Sequence, residues 1–426
     1  MKFLKLFEFP MPSACTLPKR RPAVLVCLLG ALAAVVPLGI DMYVPGFPGM
    51  VHSLHASDVA IQLSMTAFLA GLVVGQLFFG PLSDGLGRRC LLLWGTASFS
   101  VLSAVCALAP TVQVLIATRF VQGMAGAVGA VLARAVVTDW FHGRGLPRYF
   151  SVLSMIVGVA PITAPLAGGA ILSVSGWRTI FLVLSAVGLL LFLAVVTSVA
   201  ESLPPTRRQP GGVINTFRAM GRLLCYRPFV GYMLTLGLCG ASLFTYIAGS
   251  SFVFQNSYGL SASQYSLFFM VNAVDMLLAS AVFGVLSRRV RLNYLLAGSV
   301  GVATAGATAQ VLLLSTIGSS LSGAWICLLI TLTGVGAMSQ AAMSLGQTIA
   351  RSSSGAASAL LGGAELLFGA AASPAAGFFG SASSISMGII MLVAIAMCVV
   401  VLFALVRPWE RHGESDVSSE PTAVVA

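Results

Sequence analysis

The chain has 426 residues, of which only 8% are charged and 58% are apolar, and its mean hydropathy is +0.98. A soluble domain carries about 25% charged residues, so this composition excludes an ordinary water-soluble protein. The net charge of +11 would suit nucleic-acid binding, but Lys and Arg fall in short clusters between apolar runs, which is typical of membrane topology. We therefore expect a membrane protein that binds no nucleic acid.

Twelve apolar runs are each long enough to cross the hydrocarbon core of a bilayer, which takes about twenty residues. Six precede a polar break, at 23–45, 59–79, 91–109, 112–135, 148–172 and 178–200. Six follow it, at 229–253, 263–286, 293–316, 322–346, 355–379 and 384–406. Numbered one to twelve in this order, these spans predict an all-α membrane protein with twelve transmembrane helices in two six-helix bundles.

The basic residues orient these spans. With the N-terminus in the cytoplasm, all but Arg119 and Arg178 of the 23 Lys and Arg residues fall on the cytoplasmic side or in the tails there, as the positive-inside rule requires. The predicted domains are a cytoplasmic N-terminus (1–22), an N-terminal bundle (23–200), a cytoplasmic linker (201–228), a C-terminal bundle (229–406) and a cytoplasmic tail (407–426). The tail is polar after Trp409, which predicts disorder.

Span one carries an acid near its outer end, in Gly39-Ile-Asp41-Met-Tyr43-Val-Pro45. Span one runs outward and span four runs inward, so Asp41 and Arg119 can lie at similar depth. An ion pair between them could be broken by protonating the aspartate. An interfacial carboxylate at a helix end is the alternative interpretation. The Asp-Met-Tyr-x-Pro string resembles the bicyclomycin and chloramphenicol resistance branch of drug–proton antiporters.

Spans two and three are joined by Gly80-Pro-Leu-Ser-Asp84-Gly-Leu-Gly87-Arg88-Arg89. The glycines permit a tight turn, and Asp84 can pair with a cytoplasmic arginine. The segment resembles the loop signature of the major facilitator superfamily, with Gly85 where a basic residue is usual. A related string, Phe283-Gly-Val-Leu-Ser-Arg288, follows span eight and indicates an internal repeat. The candidate residues of this gating loop are Gly80, Asp84, Gly87, Arg88, Arg89 and Arg134, the last as the favoured partner of Asp84.

Span four contains Arg119 well inside its apolar run, in Thr-Arg119-Phe-Val-Gln122-Gly. Placing such a cation in the bilayer centre costs about 2.5–3.5 kcal/mol on the insertion scale, so the side chain is expected to face a cavity or a carboxylate. Snorkelling to the surface is the alternative. The stretch resembles the superfamily signature on span four, whose arginine is tied to proton coupling. Asp41 and Arg119 are therefore the candidate proton-coupling residues.

Span five combines helix-kinking and small residues on one flank, namely Pro161, Pro165, Gly168 and Gly169. Prolines remove backbone donors, and glycines admit a second backbone at close range. The pattern looks like the antiporter signature of exporters in the superfamily, with Ala164 in place of the usual first glycine. A kinked helix of any transporter is the alternative, but the resemblance favours export over uptake.

The second half places Asn272 and Asp275 in span eight and Glu365 in span eleven. Acids inside a membrane are costly and are functional candidates by default. These acids could bind a cationic substrate group or carry protons, or they could be neutral acids bonded between helices. With Gln122 of span four, the three residues are predicted to line the substrate cavity.

These resemblances imply a proton-coupled exporter of small amphipathic molecules, such as antibiotics, in the bacterial cytoplasmic membrane. We expect a monomer that exchanges protons for drug by alternating access. A symporter or facilitator for a metabolite, and a receptor or sensor on a transporter scaffold, remain open alternatives. The sequence has no Walker loop and no metal or nucleophile constellation, so no cofactor, metal site or enzymatic activity is expected.

Overall fold

A computed structural model describes residues 22–141, 146–204, 206, 212–316, 318, 320–350, 353–375, 384–410 and 412–414. In the first half the helices are α1 (Pro22–Asp41), α2 (Phe47–Leu54), α3 (Asp58–Leu86), α4 (Arg88–Ala107), α5 (Val112–Trp140), α6 (Leu146–Val174) and α7 (Trp177–Ser198). Those that follow are α8 (Gly212–Leu224), α9 (Arg227–Phe252), α10 (Ala262–Leu286), α11 (Leu292–Thr316), α12 (Leu321–Ile349), α13 (Ser354–Ala372) and α14 (Ser384–Val401).

Within the described residues, twelve helices are long and apolar enough to cross a membrane, which confirms the predicted count. Predicted spans one to twelve correspond to α1, α3–α7 and α9–α14, with the short α2 continuing the first. Helix α8 lies in the predicted linker. Predicted span eleven extends to residue 379, whereas α13 ends at Ala372, and residues 376–379 lie outside the described part. The domain boundaries at 201 and 228 stay a prediction.

Alternating span directions place the connections at two ends of the molecule. We call the end that carries the α3–α4 turn and helix α8 the linker end. The end that carries α2 is the opposite end. The two related strings at 79–84 and 283–288 both fall at the linker end, where α3 and α10 finish.

Small residues hold the helices at backbone contact. A Cβ added at Gly71 of α3 would overlap the carbonyl of Phe120 in α5, and one added at Gly123 would overlap the carbonyl of Phe68. In the second half, a Cβ at Gly240 of α9 would overlap the carbonyl of Glu365 in α13. Because lipid is as apolar as the helices, such close approach takes over the role that the hydrophobic effect has in water.

His412 and Glu414 of the C-terminal tail contact the second half, whereas residues 415–426, where most of the predicted disorder falls, lie outside the described residues. The Tyr232 hydroxyl lies 2.7 Å from Asn293 Oδ1 and 2.8 Å from the carbonyl oxygen of His412. The backbone N–H of Asn293 donates to Glu414 Oε1 at 2.9 Å. Buried polar groups need partners, and the first amides of a helix have none within it. The tail folds back over α11 and supplies partners both for the buried side chains and for one of the first amides of that helix.

Candidate functional site

The α3–α4 turn consists of a single residue outside the helices. Helix α3 ends at Leu86, α4 begins at Arg88, and Gly87 between them has a φ of 98°. Glycine adopts such positive φ values without the steric penalty of a side chain. This is the tight turn that the glycine pattern predicts, and it brings the ends of α3 and α4 together.

Arg88 is the centre of the charged cluster at this turn. Its guanidinium lies 2.7 Å from the Asp84 carboxylate and 3.3 Å from Asp139, and it also bonds the Ser83 hydroxyl. The predicted pairing of Asp84 with Arg134 is wrong in this structure, since Arg134 is exposed and Asp84 pairs with Arg88. The reason is local, because Arg88 lies four residues after Asp84 and reaches it without crossing to α5.

Sequence reasoning missed Glu201 and Ser202, which follow α7 and complete this cluster. The Glu201 carboxylate accepts hydrogen bonds from the backbone N–H of Arg88 at 2.8 Å and of Arg89 at 3.3 Å. The Ser202 hydroxyl donates to Asp139 at 2.8 Å. Glu201 therefore caps the positive N-terminus of α4. A signal was present, since Glu201 is the one acid in the predicted linker.

Arg119 is fully buried in the first half, and its partners are not carboxylates. The guanidinium donates to Gln122 Oε1 and to the carbonyl of Gly39, both at 2.8 Å. Its carbon lies 4.3 Å from the ring centre of Tyr43 and 4.0 Å from that of Phe68. Helix α1 ends two residues after Gly39, where free carbonyls carry the negative end of the helix dipole. This helix end and the ring faces stabilise the cation.

The predicted ion pair between Asp41 and Arg119 is therefore not formed among the described contacts. Asp41 is 5% exposed, and its Oδ1 atom has no hydrogen-bond partner in the described part of the chain. The segment that follows Asp41 contacts the second half, where the Gln255 side chain donates to the Pro45 carbonyl at 2.9 Å. The acid thus lies at the boundary between the halves, beside the helix end that holds Arg119.

Gln122 connects Arg119 to α4. Its amide nitrogen donates to the Ser103 hydroxyl at 2.7 Å, and its oxygen accepts from Arg119 and, at 3.7 Å, from the Cys106 thiol. Gln122 is fully buried, and all these partners belong to the first half. The arrangement orients Arg119, whereas the predicted contact of Gln122 with substrate stays a prediction.

The predicted cavity residues of the second half each have hydroxyl or aromatic partners. Asn272 donates to the Tyr246 hydroxyl at 2.8 Å and accepts from the Trp325 indole at 2.9 Å. This hydrogen-bonded group joins α9, α10 and α12 within the second half. The tyrosine and tryptophan partners were not found by sequence reasoning.

Asp275 and Glu365 lie on α10 and α13, and α12 supplies a hydroxyl to each. The Thr333 hydroxyl lies 2.9 Å from the Asp275 carboxylate, and the Ser339 hydroxyl donates to Glu365 at 3.3 Å. Both acids are partly exposed, and in the described part of the chain neither forms an ion pair. Their binding of a cationic substrate group or of a proton stays a prediction.

Two neighbouring glycines of α6 pack against different parts of the protein. A Cβ at Gly168 would overlap the carbonyl of Met42 at the end of α1, and one at Gly169 would overlap the hydroxyl of Ser266 in α10. The Ser263 hydroxyl also donates to the Gly169 carbonyl at 3.2 Å. Pro161 and Pro165 lie within the same helix. The span-five motif thus joins the end of α1 to the second half.

The halves are hydrogen-bonded to each other toward the opposite end. The Thr66 hydroxyl on α3 donates to the Ala370 carbonyl at 3.0 Å and lies 2.6 Å from the Ser373 hydroxyl. Nearby, Gln255 donates to the Pro45 carbonyl at 2.9 Å. Within the described residues, the side-chain hydrogen bonds that join the two halves all lie toward this end. At the linker end, α8 packs against both α3 and α13.

Comparison with known proteins agrees with this architecture. Residues 29–367 match a family described as the Major Facilitator Superfamily. An uncharacterized MFS-type transporter of Bacillus subtilis, YdgK, is 39% identical over 92% of this chain and 97% of its own length. A bicyclomycin resistance protein homolog of Haemophilus influenzae is 33% identical over 60% of this chain, and Multidrug resistance protein D of Escherichia coli is 32% identical over 59%. These two alignments span 65% and 63% of the relatives.

Solved structures show the same fold at low identity. A bacterial homolog of the human lysosomal transporter Spinster, in an inward-facing conformation, has a TM-score of 0.75 at 15% identity and covers 94% of this chain and 100% of its own. A D-xylose–proton symporter has a TM-score of 0.66 at 17% identity over 92% of this chain and 100% of its own. The sequence resemblance to bicyclomycin and multidrug resistance proteins is thus confirmed, and so is the twelve-helix fold.

Proposed function

The chain belongs to the Major Facilitator Superfamily, and we propose that this transporter exports small amphipathic drugs in exchange for protons across a bacterial cytoplasmic membrane. The proposal includes a monomer with both termini in the cytoplasm. The linker end then faces the cytoplasm and the opposite end faces outward. The relatives named for bicyclomycin and multidrug resistance support a drug as the substrate.

The observation that carries the proposal is a buried carboxyl oxygen of Asp41, near the boundary between the halves, that has no hydrogen-bond partner among the described residues. An ionised carboxylate without partners costs more free energy to bury than the neutral acid does. Proton uptake by Asp41 therefore stabilises the arrangement in which this boundary is closed. Proton uptake requires water to reach the acid from outside, which separation of the halves at the opposite end would allow, and proton release requires access from the linker end.

Arg119 is the second residue of the proposed proton coupling. It bonds the carbonyl end of α1 only two residues before Asp41, so the cation fixes the position of the acid without neutralising it. A movement of the α1 end that breaks the Gly39 contact would expose the guanidinium to the Asp41 carboxylate. The pair predicted from sequence then belongs to another state of the cycle.

Alternating access follows from the asymmetry between the two ends. Hydrogen bonds through Thr66 and Gln255 join the halves toward the opposite end, which faces outward in the proposed orientation, so drug access in this state would be from the cytoplasm. Drug would enter between the halves from the linker end and meet Asp275 and Glu365, whose side-chain partners in the described part of the chain are hydroxyl groups. Opening of the opposite end would release the drug outward and expose Asp41 to protons.

The test is drug-dependent proton release from acidified inverted membrane vesicles, followed with a fluorescent pH reporter across a panel of antibiotics. Wild type is compared with Asp41→Asn and with a matched acid variant at the same end, Asp58→Asn. We expect at least one drug to move protons in wild type and in Asp58→Asn, but not in Asp41→Asn. Drug transport that persists after the pH gradient is collapsed would contradict antiport.

The alternatives predict other outcomes in the same vesicles. A symporter would move protons in the same direction as its substrate, and a facilitator would equilibrate labelled substrate without moving protons. A receptor or sensor would bind ligand without any flux. Each of these results would replace the exporter proposal.

A further inference from the structure

An open groove of about 640 Å³ runs along the second half between α11 and α14, away from the proposed transport site. On α11 its wall consists of small residues, including Ala297, Gly301 and Ala305. On the other side it is lined by Val399 of α14 and by Leu402 and the exposed Phe403, which follow that helix. The space exists because the α11 residues that line it between Ala297 and Ala309 all have short side chains. In addition, α14 continues into a wider π-helical turn at Leu402–Val406.

The groove has the length of a lipid chain. Its α11 wall extends from Ala297 to Leu312, which at about 1.5 Å per residue is about 22 Å. One leaflet contributes about 15 Å to the hydrocarbon core. An extended acyl chain of one leaflet therefore fits along the groove.

Positive charge collects just before α11 at the linker end. Arg288, Arg289 and Arg291 are exposed, and the segment from 287 to 292 contains no acid. None of these three arginines forms an ion pair with another described residue. Exposed Tyr294 follows them on the same helix face as Gly301, seven residues later. The groove thus begins next to three available cations and an aromatic side chain of the kind found at membrane surfaces.

We propose that the groove and these arginines bind an anionic phospholipid of the linker-end leaflet. One acyl chain lies along the small residues of α11, and the phosphate lies against the arginines, which attract anionic headgroups at a membrane surface. A second copy of the chain fits less well. A two-fold interface through this face would bring the arginine segments of both copies toward each other.

Two glycines of α11 provide a matched pair of variants. A Cβ added at Gly301 or at Gly298 would meet no heavy atom within 4 Å, so both positions have open space for the start of a side chain. Only Gly301 lines the groove. In Gly301→Leu the new side chain fills the groove, whereas in Gly298→Leu it points elsewhere on the same helix.

The experiment is native mass spectrometry of the purified full chain, titrated separately with phosphatidylglycerol and phosphatidylcholine. We expect Gly301→Leu to bind phosphatidylglycerol at least fivefold more weakly than wild type and Gly298→Leu to bind it normally. The double variant Arg289→Gln, Arg291→Gln should lose the preference for the anionic lipid.

Two results would overturn the proposal. The first is unchanged phosphatidylglycerol binding in Gly301→Leu, which would place the lipid elsewhere. The second is a wild-type dimer that Gly301→Leu abolishes, which would identify a second copy as the occupant. Thermal unfolding of both glycine variants checks that neither change has altered the fold.

Discussion

Removal of the Glu201 carboxylate should loosen the first turn of α4. The first amides of a helix have no intrahelical acceptor, and Glu201 accepts from two of them, those of Arg88 and Arg89. A hydrogen bond to a charged group contributes about 1.5–3 kcal/mol. The negative charge at a helix N-terminus contributes a further ~0.3–1 kcal/mol at a surface site.

Two substitutions separate these contributions. Glu201→Ala removes the acceptor and the charge, so local opening at each amide should become easier by about 1.8–4 kcal/mol, which corresponds to roughly 20- to 700-fold faster amide exchange. Glu201→Gln keeps an acceptor oxygen and removes only the charge. Its exchange should rise by about two- to fivefold, from ~0.3–1 kcal/mol.

The assay is hydrogen–deuterium exchange with mass spectrometry, on peptides that cover the start of α4. The chain contains its own control, because Glu414 accepts from the Asn293 amide at the start of α11. Glu414→Ala should accelerate exchange at α11 and leave α4 unchanged, whereas Glu201→Ala should do the reverse. Unchanged exchange at Arg88 and Arg89 in Glu201→Ala would refute the capping role. Equal acceleration at both helices would indicate general loosening instead.

Three further predictions concern the transport site. Arg119→Lys keeps the charge but loses one of the two charge-assisted hydrogen bonds that Arg119 donates. Drug transport, measured for equal amounts of protein, should fall about tenfold or more. Unaltered transport would show that Arg119 has no part in the mechanism. Thr66→Cys with Ser373→Cys should form a disulfide that stops transport until reductant is added, because the native hydroxyls lie 2.6 Å apart; transport by the oxidised protein would show that this contact need not open. Gly168→Ala should impair transport because the added methyl group overlaps the end of α1, whereas Gly176→Ala should not, because Gly176 has open space around it. Equal transport rates for the two variants would show that the close contact at Gly168 is not needed for transport.

The sequence by itself determined the number of spans and the turn between α3 and α4. Hydropathy is a property of each segment alone, so long apolar runs remain recognisable whatever packs against them. The Gly87 turn is equally local, since the positive φ depends on the residue that adopts it. The clustering of arginines before α11 was also visible as charge, although only the fold shows that a groove begins there.

Only the tertiary structure decided the partners of the charged groups. Arg119 takes its acceptors from its own helix and from the end of α1, so residue types and spacing that suggested Asp41 as its partner could not exclude a backbone carbonyl. Glu201 and Glu414 lie more than a hundred residues from the helix starts that they cap. Any acid could satisfy a free helix end or a buried cation by charge alone. Which one does so depends on how the helices bring distant segments within hydrogen-bonding distance, and the sequence pattern does not contain that distance.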